Sequence, residues 1–197
     1  MRVFLVHGWG GTSKSDFFPW LKKELENKNI WNYFPDMPNN SKPKIEEWIG
    51  FLKKKIKPEE LNEETIFIGH SIGCQAVLRF LQTLPSEVKI KKVIFVAPWM
   101  KLDEETIREE GEEVMEIAKP WMETPIEWKK VKSHCKDFLC IFSDNDPYVP
   151  LSNKELFKKG LNAKSIVLNN RHHFDEGNGI KELPEILEFS AKPTLIT

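Results

Sequence analysis

The chain has 197 residues, 40% of them hydrophobic, which is enough for one substantial core, so a single domain over residues 1–197 is expected. The net charge is −1 and lysines lie among acidic residues, which argues against nucleic acid or an anionic membrane as a partner. No apolar run approaches the roughly 18 residues that a membrane span needs. Three cysteines are an odd number in a chain too large to need disulfides, so we expect free thiols and a cytoplasmic protein.

Short apolar runs alternate with amphipathic segments along the chain. The runs predict strands at 2–6, 31–34, 65–68, 92–97, 138–142 and 165–168. Apolar residues at helical spacing predict helices at about 16–27, 44–57 and 153–159, and others after Ser71, after Asp103 and from about Glu182. Asp16 is placed to cap the first helix. The alternation predicts a parallel sheet with helices on both faces and ligands beyond the carboxyl ends of the strands.

Residues 99–132 interrupt this alternation and could form a small cap or an insertion. The segment carries Trp99, Trp121 and Trp128 among prolines. These side chains could wall an apolar acyl pocket, or they could lie in the core beneath a long connection, which is expected for at least one of them.

The sequence Gly69-His70-Ser71-Ile72-Gly73 lies between a predicted strand and a predicted helix. A Gly-x-Ser-x-Gly turn in this context is typical of a nucleophile elbow, because the two glycines let strand and helix close tightly around the serine. The helix N-terminus that follows favours an anion. The alternative is a glycine-rich turn whose serine only caps the helix.

Serine, aspartate and histidine follow three different strands in the order used by α/β-hydrolases. Ser71 needs a neighbouring base, which His172 or His173 can supply, and the base needs a carboxylate that fixes its tautomer. Asp146, which precedes Pro147, is favoured for that role because it sits at the strand end. Asp144 is expected to cap the turn.

Backbone N–H groups must stabilise the oxyanion that forms when a serine attacks a carbonyl, and those of Trp9 and Ile72 are the candidates. The glycines around Trp9 could alternatively form a turn without a ligand. No metal site is expected, because Cys135 and Cys140 do not have a metal-ligand spacing, and His134 is expected at the surface.

In order and spacing, five segments resemble the small serine hydrolases grouped with YdeN and retinoblastoma-binding protein 9. The segments are His7-Gly8-Trp9-Gly10, Gly69 to Gly73, Pro120-Trp121 with Trp128, Ser143 to Pro147, and His173-Phe174 with Gly179 and Leu183-Pro184. The resemblance implies a minimal three-layer α/β/α-hydrolase fold with about six parallel strands in the order 2-1-3-4-5-6. It implies a triad of Ser71, Asp146 and His173. The family's usual Gly-His-Phe reads His172-His173-Phe174 here, which puts His172 in the glycine position.

These observations predict a serine hydrolase that cleaves small esters, thioesters or amides through an acyl-enzyme, without a metal or organic cofactor. The alternatives are a protein-binding module on a hydrolase scaffold with little or no activity, and a non-hydrolytic enzyme of the same fold. The expected partner is a small ester-type molecule, and a protein partner is also conceivable.

Overall fold

A computed structural model of the protein describes residues 1–191 and contains a six-stranded parallel sheet. The strands are β1 (Arg2–Val6), β2 (Trp31–Tyr33), β3 (Thr65–His70), β4 (Lys92–Val96), β5 (Phe138–Ser143) and β6 (Lys164–Leu168). Their spatial order is β2-β1-β3-β4-β5-β6, which confirms the predicted order. The strand order reverses next to β1, so the carboxyl ends of β1 and β3 define the crevice where ligands bind in such sheets.

Helices surround this sheet as the alternating pattern predicts, which gives the three-layer α/β fold. They are α1 (Phe18–Asn27), α2 (Ile45–Lys55), α3 (Ile72–Leu81), α4 (Glu104–Glu109), α5 (Glu112–Glu123), α6 (Trp128–His134), α7 (Asn153–Leu161) and α8 (Pro184–Ala191). None of the helices within residues 1–191 has the length and apolar character needed to cross a bilayer.

The central strands are buried along their whole length, which explains their continuous apolar sequences. All residues of β3, β4 and β5 are buried. The register pairs Val6 with Gly69, and His70 with Val96, so β1, β3 and β4 end side by side. This alignment brings the loops after these strands to one rim.

Two predicted details are wrong. Helix α1 begins at Phe18 and Asp16 does not cap it, because Asp16 has a left-handed φ of 56° and accepts a hydrogen bond from Glu176 N at 3.1 Å. His134 is not at the surface: its ring is 1% exposed, and Nδ1 lies 2.8 Å from the Val88 carbonyl oxygen. Both residues are held by partners distant in the sequence, which local patterns do not reveal.

Candidate active site

Ser71 occupies a strained turn between β3 and α3. Its φ of 53° and ψ of −123° are unfavourable for a residue other than glycine, and its N–H donates to the Val96 carbonyl at 2.9 Å. A Cβ atom on Gly73 would lie 2.2 Å from the Val6 carbonyl oxygen, and one on Gly69 would lie 2.7 Å from Cys74 Cα. Only glycine permits this close approach, so the strand, turn and helix form the elbow that the motif predicts.

The structure brings the three predicted triad side chains together. His173 Nε2 lies 2.9 Å from Ser71 Oγ, and His173 Nδ1 lies 2.9 Å from Asp146 Oδ2. The Asp146 side chain is 2% exposed, and its other oxygen accepts hydrogen bonds from Tyr148 N at 2.9 Å and Val149 N at 3.1 Å. These backbone bonds fix the carboxylate so that one oxygen faces the imidazole.

The structure places the neighbouring candidates away from Ser71. Asp144 is exposed and accepts a hydrogen bond from Asn170 N at 2.8 Å, which holds the turn. His172 has a left-handed φ of 46°, which explains why a glycine suits this position, and its N–H donates to Asn145 Oδ1 at 2.8 Å. Of the two adjacent histidines, therefore, only His173 contacts Ser71 Oγ.

The loop after β1 runs directly beside Ser71. A Cβ atom on Gly8 would lie 3.4 Å from Ser71 Cβ, so the backbone on either side of Gly8 is close to the hydroxyl. Ile72 is the first residue of α3, where a backbone N–H has no acceptor inside the helix. The Trp9 and Ile72 N–H groups thus both belong to backbone segments that border Ser71.

Buried His7 supports this loop as a neutral ring. Its Nε2 accepts the Met37 N–H at 2.8 Å, and Nδ1 lies 2.7 Å from the Gly8 carbonyl oxygen. Burial lowers the pKa of His7, although the Gly8 carbonyl and the Asp36 carboxylate act in the opposite direction. The neutral tautomer with a proton on Nδ1 satisfies both contacts.

Ser71 and His173 open into a cavity of about 470 Å³. Trp99 lines it, and its Nε1–H points to Ser71 Oγ at 3.4 Å. The other two candidate pocket tryptophans lie elsewhere. Trp121 is fully buried and donates from Nε1 to the Pro43 carbonyl at 3.0 Å, and Trp128 packs against Phe157 in a different groove.

Sequence reasoning missed Asp16 and His70, which border the same cavity. His70 Nε2 lies 2.8 Å from the His173 carbonyl oxygen, and His70 Nδ1 lies 3.5 Å from Asp16 Oδ2. The only sequence signal was the presence of His70 within the Gly-x-Ser-x-Gly turn. Asp16 gave none, because its partner Glu176 is 160 residues away. Within residues 1–191, no group of histidine, cysteine and acidic residues is arranged to hold a metal ion.

The sheet order, the elbow and the loops at the carboxyl edge define an α/β-hydrolase fold. Solved structures agree: the chain matches the ydeN gene product of Bacillus subtilis with a TM-score of 0.82 at 27% identity, covering 95% of each chain. It also matches a bromoperoxidase of Bacillus anthracis with a TM-score of 0.71 at 16% identity, covering 96% of this chain and 91% of that one, which shows the fold alone.

The family follows from the sequence comparisons. Residues 3–191 match the family model described as serine hydrolase, so the chain belongs to the serine hydrolase family. It is similar to the protein YdeN of Bacillus subtilis, with 26% identity over 95% of this chain and 93% of that protein. It is also similar to the serine hydrolase RBBP9 of Rattus norvegicus, with 26% identity over 96% of this chain and 90% of that protein. The protein is therefore a hydrolase, as the sequence predicts.

Proposed function

We propose that the protein hydrolyses small carboxylic esters, or thioesters and amides, through an acyl-enzyme on Ser71. The observation that carries the proposal is the pair of 2.9 Å contacts that link Ser71 to His173 and His173 to Asp146. A serine hydroxyl is unreactive at its own pKa, and an imidazole within hydrogen-bond distance can remove its proton as it attacks. The arrangement also requires neither a metal nor an organic cofactor for this chemistry.

In the proposed reaction, Ser71 Oγ attacks the substrate carbonyl carbon while His173 Nε2 accepts the hydroxyl proton. Asp146 orients the ring and stabilises the imidazolium that forms. The N–H groups of Trp9 and Ile72 stabilise the oxyanion of the tetrahedral intermediate. His173 then donates its proton to the departing alkoxide, thiolate or amine, and a water molecule activated by His173 releases the acid from Ser71.

The substrate proposed for this reaction is small. A cavity of about 470 Å³ lies at the lower end of the range for small-molecule sites, and Trp99, Leu102 and Ile107 give it an apolar wall. Helices α4 and α5 supply part of this wall, which supports the proposal that residues 99–132 form a cap within one domain. All three cysteines are unpaired and buried, which fits a reducing cytoplasm.

Substituting Ser71 by alanine tests the proposal. The purified Ser71→Ala variant should lose both turnover of p-nitrophenyl acetate and covalent labelling by a fluorophosphonate, because each needs the same hydroxyl. Ser86→Ala, which changes an exposed serine, should keep both. Labelling that persists in Ser71→Ala would place the nucleophile elsewhere, and a wild-type protein inert to both reagents would favour a binding module instead.

A further inference from the structure

Among residues 1–191, the side chains that line the cavity beside Ser71 include several carboxylates and no lysine or arginine. Its acidic lining residues are Asp16, Glu110, Asp175 and Glu176. The whole chain is almost balanced, with 29 lysines and arginines against 30 acidic residues, so the imbalance is local. Among the described residues, no lysine or arginine forms an ion pair with Glu110, Asp175 or Glu176.

One of these carboxylates lies close to the proposed base. Tyr148 donates its hydroxyl hydrogen to Glu110 Oε1 at 3.2 Å, and the centroid of its ring is 5.2 Å from that of His173. Glu110 is therefore about one tyrosine side chain away from the reacting atoms. Burial raises the pKa of Tyr148, and the negative charges of Glu110 and Asp175 raise it further because they disfavour the phenolate.

Asp16 adds a further carboxylate to the lining, and its side chain is 12% exposed. Burial opposes its ionisation, but the His70 ring and the Glu176 N–H outweigh burial and lower the pKa of Asp16. His70 can offset this charge when it is protonated, since its Nδ1 is 3.5 Å away. The His70 ring is 3% exposed, and its Nδ1 has no hydrogen bond within the described part of the chain. Within residues 1–191, no histidine forms an ion pair with Glu110, Asp175 or Glu176.

Aromatic side chains line the cavity as well, and aromatic rings can attract a cation. Trp9, Trp99 and Tyr148 line the same cavity as the carboxylates. An ammonium group held over an aromatic ring is attracted by the negative face of the ring, and more strongly when it is desolvated. An anionic substrate would be repelled by these carboxylates, and no lysine or arginine among residues 1–191 lines the cavity to compensate.

We propose that this cavity selects ester substrates that carry a positively charged group, such as an ammonium, over neutral and anionic ones, with Glu110 as the main selectivity residue. The inference rests on the proposed function, because it assigns a substrate class to the same site. Glu110 lies at the end of α4, within the segment 99–132, so the selectivity is a property of the cap rather than of the elbow.

A pair of substrates of equal shape tests the charge alone. Acetylcholine carries a positively charged quaternary nitrogen at the position where 3,3-dimethylbutyl acetate carries a neutral quaternary carbon. At low ionic strength, kcat/KM should be about tenfold higher for acetylcholine, which corresponds to about 1.4 kcal/mol. The ratio should fall as salt rises towards about 0.5 M, because ions screen exposed carboxylates.

Two charge-neutralising substitutions at the end of α4 test whether Glu110 is the residue responsible for the preference. Glu110→Gln keeps an acceptor for Tyr148 but removes the charge, and should lower the acetylcholine preference by about threefold or more. Glu109→Gln makes the same change at an exposed position that does not line the cavity, and should leave the preference unchanged. A Glu176→Gln variant provides a second neutralisation at the cavity and should also lower the preference.

The outcomes separate this inference from the proposed function. Two outcomes would overturn the charge selection and leave the proposed hydrolase activity intact, provided that hydrolysis of the neutral ester depends on Ser71. In the first, kcat/KM for acetylcholine does not exceed that for the neutral ester. In the second, the preference for acetylcholine changes neither with salt nor in Glu110→Gln. Failure of the wild-type protein to hydrolyse either ester, with p-nitrophenyl acetate still turned over, would overturn the charge selection alone, whereas failure with all three esters would overturn both. A salt-sensitive preference that decreases in Glu110→Gln and not in Glu109→Gln would support the inference.

Discussion

Replacing Gly73 by alanine tests the packing that holds the elbow against the first strand. A Cβ atom at this position would lie 2.2 Å from the Val6 carbonyl oxygen, 2.6 Å from the His7 carbonyl oxygen and 2.8 Å from Val6 carbon. All three are backbone atoms, and Val6 is held in register with Gly69 in the sheet. A rotamer change cannot relieve the overlap, so α3 and the loop after β1 must move apart.

The size of the effect follows from these distances. An ordinary contact begins near 3.4 Å, so the backbone must shift by about 1 Å. Overpacking of a well-packed core costs about 1–3 kcal/mol, and the rigid backbone here places Gly73→Ala at about 3 kcal/mol. For a domain of this size that lowers the melting temperature by about 6–12 °C. Because Ser71 and Trp9 lie on the two segments that separate, kcat/KM should also fall by about 100-fold.

Gly50→Ala is the matched control. Gly50 is an exposed residue inside α2, and a Cβ atom there would meet nothing within 4 Å. Alanine is favoured over glycine in a helix by about 0.5–1 kcal/mol, so this variant should melt slightly higher than the wild type. Circular dichroism measures the melting temperature, and hydrolysis of p-nitrophenyl acetate measures turnover. A Gly73→Ala variant that melts within about 2 °C of the wild type and retains full turnover would refute the reasoning.

Two further predictions concern charge. Asp146→Asn removes the negative charge 2.9 Å from the His173 ring and the partner that fixes the tautomer of this ring. We therefore expect kcat to fall by about 10³ to 10⁴, whereas Asp144→Asn should change it little. A larger loss in Asp144→Asn would show that the acid is assigned wrongly. Folding lowers the pKa of His7, so the unfolded chain binds more protons below about pH 6.5 and the free energy of unfolding should decrease from pH 7.5 to 5.5. Urea titrations should show a smaller decrease in His7→Asn, and an equal decrease would exclude His7 as the cause.

Much of the fold was predictable because its signals are local. Continuous apolar runs such as 93–97 indicate strands, and the glycines around Ser71 indicate the elbow, each within a few residues. The remote contacts were not predictable in this way. Trp121 carries the same apolar signal as Trp99, but its Nε1 bonds the Pro43 carbonyl, 78 residues away, while Trp99 reaches Ser71. Only the tertiary arrangement decides which of two equivalent tryptophans borders the cavity.

The position of β6 at one edge of the sheet has a consequence for how activity could be divided between fragments. The proposed base follows this edge strand, whereas the nucleophile follows β3 in the interior, 102 residues earlier. A chain cut in the loop before β6 would keep five contiguous strands and the serine but would lack the imidazole. Turnover in such an architecture would report the return of the missing piece, much as a split reporter signals reassembly.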